Sequence, residues 1–394
     1  MNQNFTAEQL IRLCKKSELI RHTITKSKLL ADLELAANSI NDGTFEFNIT
    51  ISPNYYYTEN LIDKLILRKL NDNIKRLYKD EQANRHFIVF QVKTLLGDEC
   101  PFWIYRTDIS SFYESIDRER LINKLKSDAL LSYFSLWLLN KIFTHPHLAT
   151  KTGLPRGLPI SATLSELYMR KFDRFIRGIS SVFYYARFVD DIIIFYNKEN
   201  NLRSIQESID ENLKEVGLIK NQSKTCVFSG ERIFPEKPLE YLGYKFVIKK
   251  LKKGRKEVIV SLANSKVKKI KSRIIYSFLD FIKNKNSILL ENRIKFLTGN
   301  YNVKSTFDER HHLKAGIYYN YNYINTLKDL DELNLFYHKA LNSKRHSFGN
   351  QLSIILTPTL SDRLRKYSFR HGFENKVKYS FNASIMKEIN SCWR

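Results

Sequence analysis

The sequence predicts an α+β fold in which a β-sheet carries helices on one face. Three observations lead there. Between residues 101 and 248, strand-like and helix-like segments alternate in the order strand, helix, hairpin, helix, strand. Inside that stretch YARFVDDIIIFY (185–196) reads as two β-rich runs meeting at Asp190 and Asp191. Outside it, long segments keep a helical period, as LIDKLILRKLNDNIKRLY (61–78) does.

The first hundred residues read as mostly helical, and in 61–78 the apolar Leu61, Leu65, Leu70, Ile74 and Leu77 recur close to every 3.6 residues. FWIYRTDISSFY (102–113) opens with an aromatic and β-branched run, which predicts a strand ending at Asp108; RERLINKL then resumes helical spacing. HPHLATKTGLPRGLPIS (145–161) is rich in Pro and Gly and predicts a loop. SATLSELYMRKFDRFIRGI (161–179) predicts a helix capped by Ser161 or Thr163. VFYYARF and IIIFY, joined through Val189, Asp190 and Asp191, predict a hairpin. LRSIQESIDENLKEVGL (202–218) is amphipathic, with Gly217 near its C-terminal end. LEYLGYKFVI (239–248) returns to strand, and beyond about residue 260 the pattern is helical and basic to roughly 345.

With 43% hydrophobic and 13% aromatic residues over 394 positions, the chain has the material for a sizeable core. It contains no apolar run of about 18 residues, and its N-terminus is mixed and charged, so we expect a cytoplasmic protein without a membrane partner. Cys14, Cys100, Cys226 and Cys392 are widely separated and form no CxxC pair, which argues against a zinc knuckle or a disulfide framework. His145 and His147 lack a third ligand nearby in sequence and read as loop residues. The net charge of +24 points to a polyanionic partner. Part of the excess is concentrated: from Lys245 to Ile275 there are 12 Lys or Arg against one acid, Glu257. Such a run serves either as a solvated helix face or as a contact for nucleic acid.

Asp190 and Asp191 pose the sharpest question. Adjacent acids are common on surfaces, yet these sit between runs fit for burial. A hairpin tip holds side chains firmly, and a divalent cation on two carboxylates cancels their repulsion. Asp108, 82 residues upstream of Asp190, ends another strand-like run and completes a triad if the strands are neighbours. Carboxylates of this kind can hold two Mg²⁺ ions about 3.5–4 Å apart, one activating an attacking hydroxyl and the other steadying the leaving oxygen of a phosphoryl displacement.

Several segments together resemble the palm motifs of reverse transcriptases: TDISSFYESI, GLPRGLPISATLSELYM, ARFVDDIIIF, NQSKT and LEYLGYKF, in that order and at similar spacing over about 101–248. ANRHFIVFQVKTLL (83–96) resembles the preceding fingers motif. RIKFLTGNYNV (293–303), GIYYNYNYI (316–324) and SFRHGFENKV (368–377) are similar to the C-terminal half of bacterial defence-associated reverse transcriptases, and within these to the smaller polymerase of the two-polymerase type 3 systems, relatives of the retron and abortive-infection enzymes.

The resemblance implies a right-hand polymerase with fingers, an antiparallel-sheet palm and a helical thumb. It implies an N-terminal extension and fingers over 1–100, the palm over 101–248 with a fingers insertion near 118–152, a basic thumb over 249–345 and an extension over 346–394. It implies RNA-directed synthesis of DNA from deoxynucleoside triphosphates with two Mg²⁺ ions, for which Mn²⁺ can substitute. The partners it implies are a noncoding RNA template, the DNA product and a second reverse transcriptase or another copy of the chain, in antiphage defence.

By the same resemblance Asp108, Asp190 and Asp191 are the metal triad, with the Ile109 carbonyl as a backbone ligand. Tyr113 is the aromatic that selects the sugar, by collision of its ring with a 2′-hydroxyl; otherwise it is a core residue like Phe112. Gly153, Pro155 and Gly157 form the loop before the template-supporting helix, where glycine lets backbone approach a base pair. Arg156 stands where many relatives carry glutamine and adds a charge there. Phe188 and Val189 replace the usual tyrosine and alanine. Lys224 matches a lysine that protonates departing pyrophosphate, and Arg85 an arginine that pairs with the triphosphate; both also fit plain surface roles. Tyr241, Leu242 and Gly243 match the primer grip, and Lys266, Lys269 and Arg273 lie in the basic thumb segment facing the duplex backbone. The tyrosines of GIYYNYNYI could stack bases, although core packing is the better reading. Two other functions stay open: template-independent or RNA-synthesising polymerisation on the same palm, and a silent RNA-binding scaffold, which the intact acid triad disfavours.

Overall fold

The computed structural model describes residues 2–53, 55–79, 83–197, 202–229, 233, 236–251, 256–304 and 312–393. Residues 252–255 of the basic run lie outside them. The chain divides into two compact units, Met1–Arg85 with Pro101–Ser229, and His86–Cys100 with Gly230–Arg394.

The first unit begins with α1 (Ala7–Ile11), α2 (Lys16–Arg21) and α3 (Lys26–Asn41), followed by a short hairpin of β1 (Thr50–Ser52) and β2 (Tyr55–Tyr57) and then α4 (Leu61–Tyr78). The periodic apolar residues of α4 are buried at Leu61, Leu65, Leu70 and Ile74, and the Asn60 side chain caps its start by accepting from the Ile62 amide. α5 (Arg85–Leu96) leads out of this unit; β3 (Trp103–Asp108) re-enters it, with α6 (Phe112–Ser115), α7 (Arg118–Asp128), α8 (Tyr133–Thr144), α9 (Pro159–Arg177), β4 (Val182–Phe188), β5 (Asp191–Tyr196), α10 (Leu202–Glu215) and β6 (Cys226–Ser229).

These strands form one antiparallel sheet in the order β4-β5-β3-β6. β5 is an inner strand, and Ile192, Ile193 and Ile194 are fully buried on alternating faces. Burial of that kind is worth about 2 kcal/mol per side chain, and it locks the register, because a slip by one residue would exchange the faces of every side chain. In that register Asp108 pairs directly with Asp191.

Two local readings are corrected here. α9 starts at Pro159 rather than Ser161, with Leu158 as its extended N-cap residue and proline at the first turn, where its missing N–H costs nothing. The Ser161 hydroxyl instead donates to the Pro155 carbonyl (2.6 Å), and the Thr163 hydroxyl to Asn71 Oδ1 (2.6 Å). In the hairpin, the turn is Val189–Asp190 and Asp191 already belongs to β5.

The second unit, besides α5, contains an antiparallel sheet of β7 (Leu239–Tyr241), β8 (Tyr244–Lys250) and β9 (Lys256–Leu262). LEYLGYKFVI is therefore a hairpin and not one strand, turning at Leu242 and Gly243, both with positive φ (47° and 84°), the backbone that a tight two-residue hairpin requires. α11 (Asn264–Asn284) and α12 (Ser287–Thr298) follow. The helical run is then interrupted, against the sequence reading, by a small sheet of β10 (Asn300–Lys304) and β11 (His312–Gly316), to which β12 (Lys378–Tyr379) adds in parallel. α13 (Ile317–Asn320), α14 (Lys328–Leu341), α15 (His346–Ile355), α16 (Pro358–Arg365), α17 (Phe369–Glu374) and α18 (Ala383–Ser391) complete the unit. Among the described residues, no helix is long and apolar enough to cross a membrane.

Candidate active site

The β3–β5 register and the β4–β5 turn bring three acids together. Asp108 closes β3 opposite Asp191, Asp190 occupies the turn beside them, and the Ile109 amide donates to the Asp190 carbonyl (3.1 Å). One carboxylate oxygen from each acid lies within 4.8 Å of the other two. Like charges across an antiparallel pair repel, and two cations offset part of this. Lys224 Nζ is 3.0 Å from Asp108 Oδ2, and Arg106 Nη2 is 3.0 Å from Asp191 Oδ1. Three negative charges against two positive leave one in excess. Burial pushes the carboxyls of Asp190 and Asp191 above the usual range, and the charge of Asp108 adds to the rise in both.

This donor set fits a divalent cation. Carboxylate oxygens are the hard ligands that suit Mg²⁺, Mn²⁺ or Ca²⁺ rather than soft metals. Oxygens sharing one such ion at about 2.1 Å sit roughly 3–4 Å apart, which small rotamer changes reach from here. Ile109 suits a backbone ligand. Its neighbours make the bonds across to the 219–221 segment, Ser110 N–H to the Ile219 carbonyl and Asn221 N–H to the Asp108 carbonyl, so the polar groups of Ile109 itself face Asp190.

Three residues here were not singled out from sequence. Arg106 stands two positions before Asp108 and so shares its face of the strand, a signal that period-2 reasoning can find. Asn221 donates from its side chain to Asp108 Oδ1 (3.4 Å) and caps the turn Gln222–Lys224 that carries Lys224. Arg187 donates to the carbonyl of Val189 in the turn (2.9 Å); no local signal announces it.

The Gly–Pro loop packs against Tyr113 and Glu114, in the segment that follows Asp108. The Leu154 amide donates to the Tyr113 carbonyl (2.7 Å), and the Tyr56 amide to the Arg156 carbonyl (2.7 Å). Gly153 has φ 72°, and a Cβ there would overlap the Tyr113 carbonyl and the Glu114 Cα; Gly157 has φ 99°, and its Cβ would lie 2.5 Å from the Tyr56 carbonyl. Both glycines thus admit close approach of the protein's own backbone, where the sequence reading invoked a base pair. The Arg156 guanidinium forms a two-point ion pair with Glu114 (2.5 and 2.9 Å) and lies 5.6 Å from the centre of the Tyr113 ring. Its charge is paired rather than loose. Tyr113 is half-buried, and burial raises its hydroxyl above the ordinary range.

Residues 60–246 match the family model described as reverse transcriptase (RNA-dependent DNA polymerase). The chain carries a reverse transcriptase domain. Its fold is that of a right-hand polymerase, with the four-stranded antiparallel sheet as the palm. Among solved structures, apo telomerase from Candida tropicalis is similar at 13% identity over 96% of this chain and 63% of its own, with a TM-score of 0.40. Telomerase from the same organism in complex with a TWJ fragment of telomeric RNA follows at 13% over 83% and 56%, TM-score 0.39. A form of that apo enzyme truncated from its C-terminal domain gives 12% over 59% and 48%, TM-score 0.35. The chain spans about half to three fifths of the length of these telomerases. No curated protein matches the sequence.

Within the reverse transcriptase domain, Lys224 is half-exposed while bound to Asp108. Arg85 opens α5, where the first unit ends. The remaining sequence candidates belong to the second unit. Tyr241 and Leu242 are buried at the β7–β8 turn, so there the backbone of the turn, with Gly243, is the accessible part. On α11 Lys269 is exposed and Lys266 partly so, whereas Arg273 is half-buried with its guanidinium 4.9 Å from the centre of the Trp393 ring. The tyrosines of 316–324 pack as a core would: Tyr321 and Tyr323 pack on Tyr244 (ring centres 5.8 and 6.4 Å apart), and Tyr318 on Phe373 (5.3 Å).

Proposed function

We propose that the chain is an RNA-directed DNA polymerase that adds deoxynucleotides to a primer hydroxyl. The observation that carries this reading is the meeting of Asp108, Asp190 and Asp191 at one end of the sheet, inside the segment similar to reverse transcriptases. The three carboxylates and the Ile109 carbonyl hold two Mg²⁺ ions, which Mn²⁺ can replace. Bound there, the ions would supply the positive charge that lowers the pKa of the attacking hydroxyl and stabilises the leaving pyrophosphate. Tyr113 lies under the sugar and rejects a 2′-hydroxyl. Lys224, already held by Asp108, protonates pyrophosphate, and Arg85 pairs with the triphosphate. Gly153, Pro155, Arg156 and Gly157 support the template side. Tyr241, Leu242 and Gly243 guide the primer. Lys266, Lys269 and Arg273 belong to a strongly basic unit that contacts the duplex backbone.

The template is a noncoding RNA, the product is DNA and the setting is cytoplasmic antiphage defence, with a second reverse transcriptase or another copy as partner. The segments 293–303, 316–324 and 368–377, which resemble defence-associated enzymes, support this part of the reading. The test is incorporation of each deoxynucleotide and ribonucleotide with and without added RNA, by the wild type and by the double variant Asp190→Ala, Asp191→Ala. Incorporation of deoxynucleotides that needs RNA, abolished in the variant while RNA binding persists, is the expected result. Unchanged incorporation in the variant removes the proposed active site.

A further inference from the structure

We propose that Arg187 is the positioning residue of the turn that holds Asp190, tying it to α9. The inference rests on the polymerase reading for its consequence, and on geometry for its substance. Arg187 and Tyr185 alternate on β4 and so share a face, and Glu166 and Asp173 are two helical turns apart on α9, on one side of it. Where these faces meet, the Arg187 side chain is 3% exposed. All five of its N–H donors have acceptors. Nε and Nη2 reach the two oxygens of Asp173 (2.9 and 2.8 Å), Nη1 and Nη2 those of Glu166 (3.1 and 2.6 Å), and Nη1 also the Val189 carbonyl (2.9 Å). The Tyr185 hydroxyl donates to the same Asp173 (2.5 Å).

Packing alone does not call for this arrangement. A buried ion network costs several kcal/mol of desolvation per charge, and apolar residues of similar volume commonly do as well for stability. What the network adds is direction. Two carboxylates fix the plane of the guanidinium, and its fifth N–H then fixes one carbonyl of the turn. That carbonyl belongs to Val189, whose φ is 60°. The left-handed region costs a β-branched residue about 1–2 kcal/mol, and such a conformation persists only where the surroundings impose it. Released from Arg187, the turn relaxes toward ordinary backbone, and Asp190, the next residue, moves off its place beside the Asp108–Asp191 pair. Lysine cannot replace this arginine, since one ammonium presents a point charge and no planar fork.

The test uses full-length protein and Mn²⁺ as probe, with binding read by electron paramagnetic resonance of free Mn²⁺. Arg187→Lys is expected to weaken Mn²⁺ binding about 10–100-fold, as loss of a residue that orients metal ligands does. It should lower kcat for single-nucleotide addition by a similar factor, with KM for the nucleotide and affinity for primer–template changed little. Val189→Gly, which accepts positive φ without strain, should restore part of the Mn²⁺ affinity in the Arg187→Lys background. A merely structural arginine would lower the melting temperature and leave the Mn²⁺ affinity of the folded protein alone. A folded Arg187→Lys with wild-type Mn²⁺ affinity overturns the proposal. If that variant does not fold, Glu166→Gln, which keeps the shape and removes one charge, is measured in the same way, and unchanged Mn²⁺ affinity again overturns it. A wild type that binds Mn²⁺ but polymerises nothing overturns the functional reading instead, and the Mn²⁺ arm still decides the role of Arg187.

Discussion

Gly153 and Gly217 form a matched pair for testing how the loop beside Tyr113 is held. Both have φ 72°, but a Cβ on Gly217 would meet nothing within 4 Å, whereas one on Gly153 would overlap the Tyr113 carbonyl and the Glu114 Cα. Alanine at either position bears the left-handed cost of about 1–2 kcal/mol, partly offset by about 0.4–1 kcal/mol from the lower entropy of the unfolded chain. Gly217→Ala should therefore lose about 1 kcal/mol or less. At Gly153 the overlap is with backbone, which cannot rotate away, and forced shifts of that sort add about 1–3 kcal/mol. Gly153→Ala should lose about 2–4 kcal/mol in all. Their unit spans 214 residues, a size at which each kcal/mol moves the melting temperature by roughly 2–4 °C, so the expected drops are at most about 4 °C for Gly217→Ala and roughly 4–16 °C for Gly153→Ala. Thermal unfolding followed by circular dichroism measures both. Because Leu154 is bonded to Tyr113, Gly153→Ala should also alter discrimination between deoxy- and ribonucleotides, and Gly217→Ala should not. Equal drops in melting temperature would refute the steric argument and leave only the φ effect common to both.

Three further outcomes are expected. Burial, then the repulsion of Asp108, holds the Asp190 and Asp191 carboxyls above the usual range. Protonated in the folded state over a window where the unfolded chain is ionised, they contribute stability that is present below about pH 4 and lost as pH rises through their raised values. In a chelator, the melting temperature of Asp190→Asn minus that of wild type should thus grow from pH 4 toward neutrality, and Mg²⁺ added in place of the chelator should stabilise Asp190→Asn less than wild type; a difference independent of pH would refute this. Arg293 is buried in the second unit, 2.5 Å from Asp280 and bonded to the carbonyls of Glu388 and Ile389 at the end of α18 (3.2 Å each). Arg293→Met should cost about 3–5 kcal/mol and expose the last helix to limited proteolysis, because it strands a largely buried carboxylate; wild-type protease resistance would refute that. Tyr113→Ala should admit ribonucleotides in a single-addition assay, and unchanged sugar discrimination would return Tyr113 to the core.

Local chemistry accounts for what was legible from sequence. The α4 helix, the β4–β5 hairpin and the strand ending at Asp108 all declare themselves through periods of 3.6 or 2, which depend only on neighbours along the chain. The start of α9 was misplaced because Ser161 and Thr163 look like caps but bond to Pro155 and Asn71, the latter distant in sequence. The strand 300–304 was missed because its partners are β11 and β12, the second more than seventy residues away.

From the sequence alone came the acids in an apolar hairpin, the glycines of the loop and the basic excess, since each is a property of composition or short-range order. Only the tertiary structure decided that Asp108 faces Asp191, that Lys224 and Arg106 divide the compensating charge, that Arg156 answers Glu114 and that Arg187 holds the turn. A charged side chain carries no local record of its partner. Which one it meets is settled by strand register and by the helix face laid against the sheet, and both are fixed by burial summed over the whole unit.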